Sequence, residues 1–231
     1  MRLFRGIRVL ADDADKVIAA LSGGTLCDDR GWRMHHRRFA DPLVQLQRTN
    51  LSIADTRFDG GQPATFACGD ENGGAHYAWR EDTGEGTRVP IMVEFEADPA
   101  DVVVDGRDGL YTLIHLAGHP EVRFMLAMAW GEAVLPYLDA AAATELNNPG
   151  FEQRLAICDL ACTDPDVVAA HHTNQKPILG RCETRYKSAF MLPAVVPPSS
   201  VNRVWVPERP PHWAAEDCIS VGLMYGCFHG R

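Results

Sequence analysis

The chain has 231 residues, of which 46% are apolar and 23% charged, an ordinary composition for a globular protein that argues against wholesale disorder. Its 22 basic and 31 acidic residues give a formal net charge of −9, which argues against a broad binding surface for nucleic-acid phosphates. No stretch reaches the roughly 18 to 20 consecutive apolar residues of a membrane span, and the first residues lack the apolar core of a signal peptide. The seven cysteines do not have the regular spacing of a set of disulfides. We therefore expect a cytoplasmic protein without membrane contact.

The first part of the chain predicts a strand followed by a helix. Apolar residues alternate in MRLFRGIRVL, as they do in a half-buried strand. The next stretch, ADDADKVIAALSGG, offers aspartates for a helix N-cap and ends on a glycine pair that stops a helix. Residues 28–61 fit a strand or a short helix, and both stay open. They include the basic run GWRMHHRRF, interpreted as a solvated face or as a site for an acidic ligand.

The middle of the chain predicts strands and then helices. PATFAC, VPIMVEFEAD and ADVVVDG are bounded by Gly, Pro or Asp, as strands are. Residues 120–147 predict a helix that Pro136 kinks or restarts. FEQRLAICDLACTD predicts a further helix whose apolar stripe begins at Phe151. We expect these helices to form an insertion, about residues 118–176, within a single domain spanning residues 1–231.

The last part of the chain returns to a strand pattern. TRYKSAFML and VNRVWV alternate in the way strands do. The apolar tail is expected to pack back on the core through Ile219, Val221, Leu223 and Met224. The predicted fold class is therefore α+β, a mostly β core that carries an all-helical insertion.

Several short motifs occur in a familiar order. They are the strand LFRG, the segment ATFACGDENGGAHYA in which a strand runs into a small-residue helix, the pair VEFEADPADVVVDG and the late strand PPSSVNRV. This order resembles the ADP-ribosyltransferase fold, which is shared by mono-ADP-ribosylating toxins, DNA-targeting toxins and poly-ADP-ribose polymerases. The resemblance implies a split antiparallel β-sheet core and NAD as the substrate that donates ADP-ribose.

The resemblance also implies a set of site residues. Arg5 and Gly6 would hold the nicotinamide and its ribose, and Arg5 is counted with the catalytic residues. Thr65 and Phe66 would line the same site, with Tyr77 stacked on the nicotinamide ring. Glu183, the carboxylate of the late segment LGRCETRYKSAFML, would be the catalytic acid.

The chemistry gives these roles a physical reason. Breaking the bond between ribose and nicotinamide develops positive charge at C1′, so a carboxylate aimed at that carbon helps most in the transition state. A planar guanidinium suits the phosphates of the ligand, and a glycine lets the backbone approach a ligand closely. Two alternatives to Glu183 stay open, an aspartate in its role or a catalytically silent fold. Glu94 and Glu96 also form a Glu-X-Glu pair, but on a middle strand that favours solvent-facing acids.

Other chemistries find less support in the sequence. No phosphate loop, dinucleotide-binding glycine motif or hydrolase nucleophile elbow occurs. The histidine and cysteine pairs lack the spacing of a structural zinc site, so no metal is expected.

The leading hypothesis is thus a bacterial, toxin-like or effector-like mono-ADP-ribosyltransferase. Its expected partners are NAD, a macromolecular acceptor that is either protein or nucleic acid, and an inhibitor or antitoxin protein. Two alternatives stay open. One is an inert adaptor that binds a partner through the helical insertion. The other is an enzyme directed at RNA or DNA ends that holds phosphates with GWRMHHRR.

Overall fold

The structure is a computed structural model of the chain. It describes residues 1–22, 65–80, 86–144, 150–181, 183–192, 196–208, 210–211, 213 and 218–228. The ambiguous stretch 28–61, with the basic run GWRMHHRRF, lies outside the described residues. The predictions made for that stretch are therefore not addressed below.

A six-stranded sheet organises the fold. Its members are β1 (Arg2–Leu10), β2 (Thr65–Cys68), β3 (Arg88–Glu96), β4 (Val103–Val104), β7 (Ala189–Leu192) and β8 (Val201–Trp205). They lie in the order β4-β7-β2-β1-β3-β8, and every neighbouring pair is antiparallel. The strands predicted from MRLFRGIRVL, PATFAC, VPIMVEFEAD, ADVVVDG and VNRVWV all contribute to this sheet, and the predicted α+β class is confirmed.

A second, smaller sheet divides one predicted strand in two. The segment TRYKSAFML forms β6 (Arg185–Tyr186) and β7, which belong to different sheets. In the small sheet β6 pairs antiparallel with β5 (Ile178–Leu179), which pairs parallel with β9 (Ile219–Ser220). The prediction of a single strand was wrong because alternation continues across Lys187 and Ser188, where the chain changes partners.

One face of the large sheet is covered by helices. These are α3 (Leu110–Leu113), α4 (Pro120–Trp130), α5 (Leu135–Ala142), α6 (Gly150–Thr163) and α7 (Pro165–His172), while α1 (Ala14–Ser22) packs near β8. Pro136 lies in the first turn of α5, so of the two predicted outcomes, a kink or a restart, the structure has the restart. None of the described helices has the length and apolar character that crossing a membrane requires.

These helices and the sheet share one core. Trp130 from α4, Ile157 from α6 and Phe190 from β7 are fully enclosed and belong to the same buried cluster. Removing the helices would uncover that face of the sheet, so the helical insertion is part of the core. The helical stretch begins at Leu110, earlier than the sequence pattern indicated.

The opposite face of the sheet carries one short helix, α2 (Glu71–Trp79). Asp70 caps its start by accepting a hydrogen bond from the backbone N–H of Gly73 at 2.8 Å. Ala75 and Ala78 of α2 pack on Phe4 of β1 in a second, smaller cluster. Small residues let this helix lie directly on the sheet.

The last described helix is α8 (Val221–Phe228). Ile219 and Val221 are buried, which confirms that the tail packs back on the core. Leu223 is 71% exposed and Phe151 of α6 is 49% exposed, so these two members of the predicted apolar contacts face solvent.

Candidate functional site

A pocket of about 520 Å³ opens where β1 and β2 part. Among the described residues, the two strands pair only at Phe4 and Cys68, although β1 runs on to Leu10. Across the gap, Nη1 of Arg5 donates a hydrogen bond to the carbonyl oxygen of Phe66 at 3.1 Å. The opening is thus a consequence of strand divergence, and its volume lies in the range of small-molecule sites.

The pocket is strongly cationic. Among the described residues that line it, four are arginines and one is an aspartate, and they come from β1, from the end of α2 and from the turn after β4: Arg5, Arg8, Arg80 and Arg107, with Asp105. This excess of positive charge stands out in a chain whose formal net charge is −9. Guanidinium groups recognise phosphates and carboxylates through a planar fork of donors, so an anionic ligand fits this lining.

Asp105 and Arg107 form a fixed pair on the pocket wall. Nε of Arg107 donates to Oδ1 of Asp105 at 2.5 Å, and Nη2 of Arg107 donates to Oδ2. The guanidinium lies over the ring of Phe66, 4.3 Å from its centre. Because the carboxylate and the ring hold Arg107 from two sides, the pair presents a preorganised charged surface.

Two further groups of the lining are not nucleophiles at neutral pH. Burial raises the pKa of the Cys68 thiol well above its usual range, and the nearby Asp70 and Asp105 carboxylates raise it further. Burial likewise raises the pKa of the Tyr77 phenol. Cys68 and Tyr77 therefore stay protonated, and their contribution is shape, a ring surface and a hydroxyl donor.

Gly6 lines the pocket, but its lack of a side chain serves helix packing. A Cβ at Gly6 would lie 1.8 Å from the carbonyl oxygen of Gly74 and 2.6 Å from the backbone nitrogen of Ala78. Both atoms belong to α2. The glycine is thus required by the close approach of α2 to β1.

The structure brings together four of the six residues predicted for the site. Arg5, Gly6, Phe66 and Tyr77 line the pocket. Thr65 is fully buried, pairs with Leu192 of β7 and does not line the pocket.

Glu183 lies in an adjoining recess of about 570 Å³ instead. The recess and the pocket share Arg80 at the end of α2. The other described residues that line the recess are His76, Trp79, Leu179, Arg185, Pro210, Pro211 and Trp213. The tight loop between β5 and β6 holds Glu183 in a left-handed backbone conformation with φ of 60°, which is uncommon for a residue other than glycine.

A hydrogen-bond network ties this loop to the pocket wall. Oγ1 of Thr184 donates to Oδ2 of Asp108 at 2.9 Å, and the N–H of Arg181 donates to the Asp108 carbonyl oxygen at 3.1 Å. Asp108 comes directly after Arg107 in the sequence, in the same turn as Asp105. The strained Glu183 is therefore anchored to the same turn that builds the pocket wall.

The carboxylates of VEFEAD have structural partners. Glu94 pairs with Arg2 at 2.9 Å and Glu96 with the N-terminal amine at 3.2 Å, and neither lines the pocket. Within the described ranges, no group of three or more His, Cys, Asp or Glu residues could hold a metal ion.

Sequence reasoning did not select Arg8, Arg80, Asp105 or Arg107. Arg8 could have been found from its place on the same strand as Arg5, two residues beyond Gly6. Asp105 and Arg107 lie in the turn DGRDG after β4, where closely spaced charged residues between glycines are the available signal. Only the packing of β4 beside β7 brings that turn to the pocket.

Comparison with known proteins gives no match: no family model fits the chain, and no curated protein and no solved structure is significantly similar to it.

Proposed function

We propose that the protein binds NAD in the pocket between β1 and β2 and transfers its ADP-ribose group to an acceptor. The observation that carries this proposal is the convergence of Arg5, Phe66 and Tyr77 on one cationic pocket. These residues were selected for their order in the sequence, on the resemblance to ADP-ribosyltransferases, and they come from three separate elements.

The chemistry of the lining supports a dinucleotide. NAD combines a pyrophosphate with flat rings, and the described lining combines an excess of guanidinium groups with three aromatic side chains, Phe4, Phe66 and Tyr77. Guanidinium groups satisfy phosphate oxygens through paired donors. Tyr77 offers a ring surface for stacking, while the Phe66 ring carries the Arg107 guanidinium. The split antiparallel sheet of the resemblance corresponds, in this proposal, to the divergence of β1 from β2.

The proposed step is a substitution at C1′ of the ribose. The bond from C1′ to the nicotinamide nitrogen breaks, its electron pair returns to the ring as neutral nicotinamide leaves, and an acceptor O–H or N–H forms the new bond to C1′ and releases its proton. We assign to Asp105, the carboxylate among the described residues that line the pocket, the stabilisation of positive charge at C1′. Glu183 lies on the acceptor side, where it accepts that proton.

Calorimetric titration with NAD, with released nicotinamide assayed in the same samples, tests the proposal. Wild-type protein is expected to bind NAD and to release nicotinamide slowly. Arg5→Ala should weaken binding at least about tenfold, since it removes a charged hydrogen-bond donor. Arg181→Gln is the matched control, because Arg181 is an exposed arginine that lines neither cavity. Absence of wild-type binding at millimolar NAD would overturn the proposal.

Two isosteric variants separate the carboxylates. Asp105→Asn should bind NAD and release nicotinamide at least about a hundredfold more slowly, because it removes charge next to C1′. Glu183→Gln should retain slow release to water and lose transfer to an acceptor. The opposite pattern, with release abolished only by Glu183→Gln, would return the catalytic carboxylate to the residue predicted from the sequence.

A further inference from the structure

The recess around Glu183 has a lining of its own that the NAD pocket does not explain. Two indole rings, Trp79 and Trp213, lie on its walls together with the imidazole of His76. Among the described residues of the lining, the charged groups are Arg80, Arg185 and Glu183, an excess of one positive charge when the imidazole is neutral. Burial lowers the pKa of His76, and the nearby Arg80 and Arg185 lower it further, so the imidazole is neutral at pH 7.

Hydrogen bonding around this recess is incomplete. Nε1 of Trp79, Nε1 of Trp213 and Nε2 of His76 are buried without a hydrogen-bond partner. Unpaired buried atoms also occur away from the recess, at Nε1 of Trp130 for example, so what distinguishes the recess is its set of aromatic rings and charged groups.

We infer that this recess binds the acceptor, and that the acceptor is a nucleotide unit. That the bound molecule is the acceptor rests on the proposed function. That a nucleotide unit binds in the recess depends only on the residues that line it. Tryptophan rings stack on nucleobases of every sequence. Arg80 and Arg185 suit the phosphate, and the Glu183 carboxylate suits an N–H or O–H of the base or sugar.

A protein acceptor fits the lining less well. A lysine or arginine side chain would stack on the tryptophans but would meet Arg80 and Arg185, which repel it. The negative charge of the whole chain limits a nucleic acid to contacts within the recess. The nucleotide unit is therefore a free mononucleotide or one end of a single strand, and both present the same chemistry.

The position of the recess fits the reaction. Tyr77 lines the pocket, the preceding His76 lines the recess, and Arg80 lines both. An acceptor held by Glu183 is thus next to the ribose whose bond breaks. Its O–H or N–H forms the bond to C1′, Glu183 takes the proton, and nicotinamide departs with the electron pair of the broken bond.

Tryptophan fluorescence titration with uridine monophosphate and with tetrauridylate tests the inference. Both probes are expected to bind wild-type protein. Trp79→Leu should weaken binding about tenfold and Arg185→Gln about fivefold, because one removes a stacking surface and the other a phosphate contact. Arg181→Gln, on the same loop as Glu183 but outside the recess, should change affinity less than twofold. Arg185→Gln keeps the test valid if Trp79→Leu fails to fold, since the Arg185 side chain is only partly buried.

The two probes distinguish a free mononucleotide from the end of a single strand as the bound nucleotide unit. Equal affinities support a free nucleotide, and tetrauridylate binding at least tenfold more tightly supports the end of a strand. No saturable binding of either probe, or binding that both recess variants leave unchanged, overturns the inference.

Calorimetry with NAD on the same samples shows whether a negative result concerns nucleotide binding to the recess or NAD binding to the pocket. Arg5→Ala should lose NAD binding and keep probe binding. Bound NAD without bound probe would overturn the recess and leave the transferase proposal. Bound probe without bound NAD would overturn the transferase and leave a nucleotide site.

Discussion

The two faces of the six-stranded sheet use polar groups in different ways. On the helical face, the three guanidinium nitrogens of Arg154 donate to the Thr144 hydroxyl, the Thr144 carbonyl and the His115 carbonyl. On the α2 face, arginines gather around an open pocket. On the helical face, polar groups bond neighbouring elements to one another. On the α2 face, they line a cavity.

The two faces should respond differently to substitution. A buried arginine bonded to backbone carbonyls holds elements together, and its loss leaves acceptors unpaired. An arginine on a pocket wall also raises the local positive potential, even where it donates to a backbone carbonyl as Arg5 does to Phe66. Substitutions on the helical face should therefore change the free energy of unfolding, and substitutions at the pocket should change ligand binding. The exception is the glycine contact between α2 and β1.

The largest expected effect comes from that contact. Gly6→Ala should destabilise the protein by about 3 kcal/mol or more, since the new methyl group overlaps backbone atoms of α2 that cannot move independently. Urea denaturation measures the loss. Gly222→Ala is the control, because nothing lies within 4 Å of a Cβ at Gly222, and it should be neutral or slightly stabilising in α8. Equal stabilities for the two variants would refute the packing role of Gly6.

Arg154→Ala should cost about 3 kcal/mol in unfolding free energy, because it leaves two carbonyls and a hydroxyl without their donor. NAD affinity should not change, since Arg154 is on the helical face. Arg123→Ala removes an exposed pair with Asp139 and should cost less than about 1 kcal/mol. A loss of NAD binding in Arg154→Ala protein that remains folded would break the division between the faces.

Acid should weaken the helical face through His171. Its Nδ1–H donates to the Ala129 carbonyl at 2.8 Å and its Nε2 accepts from the Ala189 N–H at 3.1 Å, which requires a neutral ring. Burial lowers the pKa of His171 from 6.5 to about 4. The unfolded chain therefore binds this proton more readily, so the contribution is complete above about pH 6.5 and is lost as the pH falls towards 4.

Between pH 7.5 and 5 the unfolding free energy should drop by about 2 kcal/mol from this residue. Urea denaturation at both pH values, compared with His171→Gln, measures it. The variant is expected to be less stable at pH 7.5 and to lose about 2 kcal/mol less on acidification. Parallel losses in the two proteins would assign the acid sensitivity elsewhere.

Arg5→Ala should have a smaller effect on folding, about 1 kcal/mol in unfolding free energy, because it removes the hydrogen bond to the Phe66 carbonyl. Its only large consequence should be weaker NAD binding. Thermal unfolding with and without NAD checks both parts, since bound ligand raises the midpoint of wild type and should not raise that of the variant. A variant unstable without NAD would make Arg5 a structural residue.

Local patterns accounted for much of the fold. Alternation in MRLFRGIRVL and VPIMVEFEAD predicted β1 and β3, which pair along their whole length. Ile91 and Val93 alternate because they are buried in the core shared with the helical layer, whereas Met92 between them is buried in the cluster with α2. Alternation does not reveal where the chain passes from one sheet to another. At Lys187 and Ser188 the chain leaves the small sheet for the large one, and the alternation continues across that point.

By itself, the sequence determined the class of elements, their order and a cluster of candidates on β1, β2 and α2. Only the tertiary structure decided that β1 and β2 part beyond Phe4, that Asp105 and Arg107 complete the pocket and that Glu183 lies in the adjoining recess. The reason is the range of the interactions. Strand and helix patterns record contacts of each residue with its own layer, whereas the pocket arises from pairing between residues more than sixty positions apart, and no local pattern records that register.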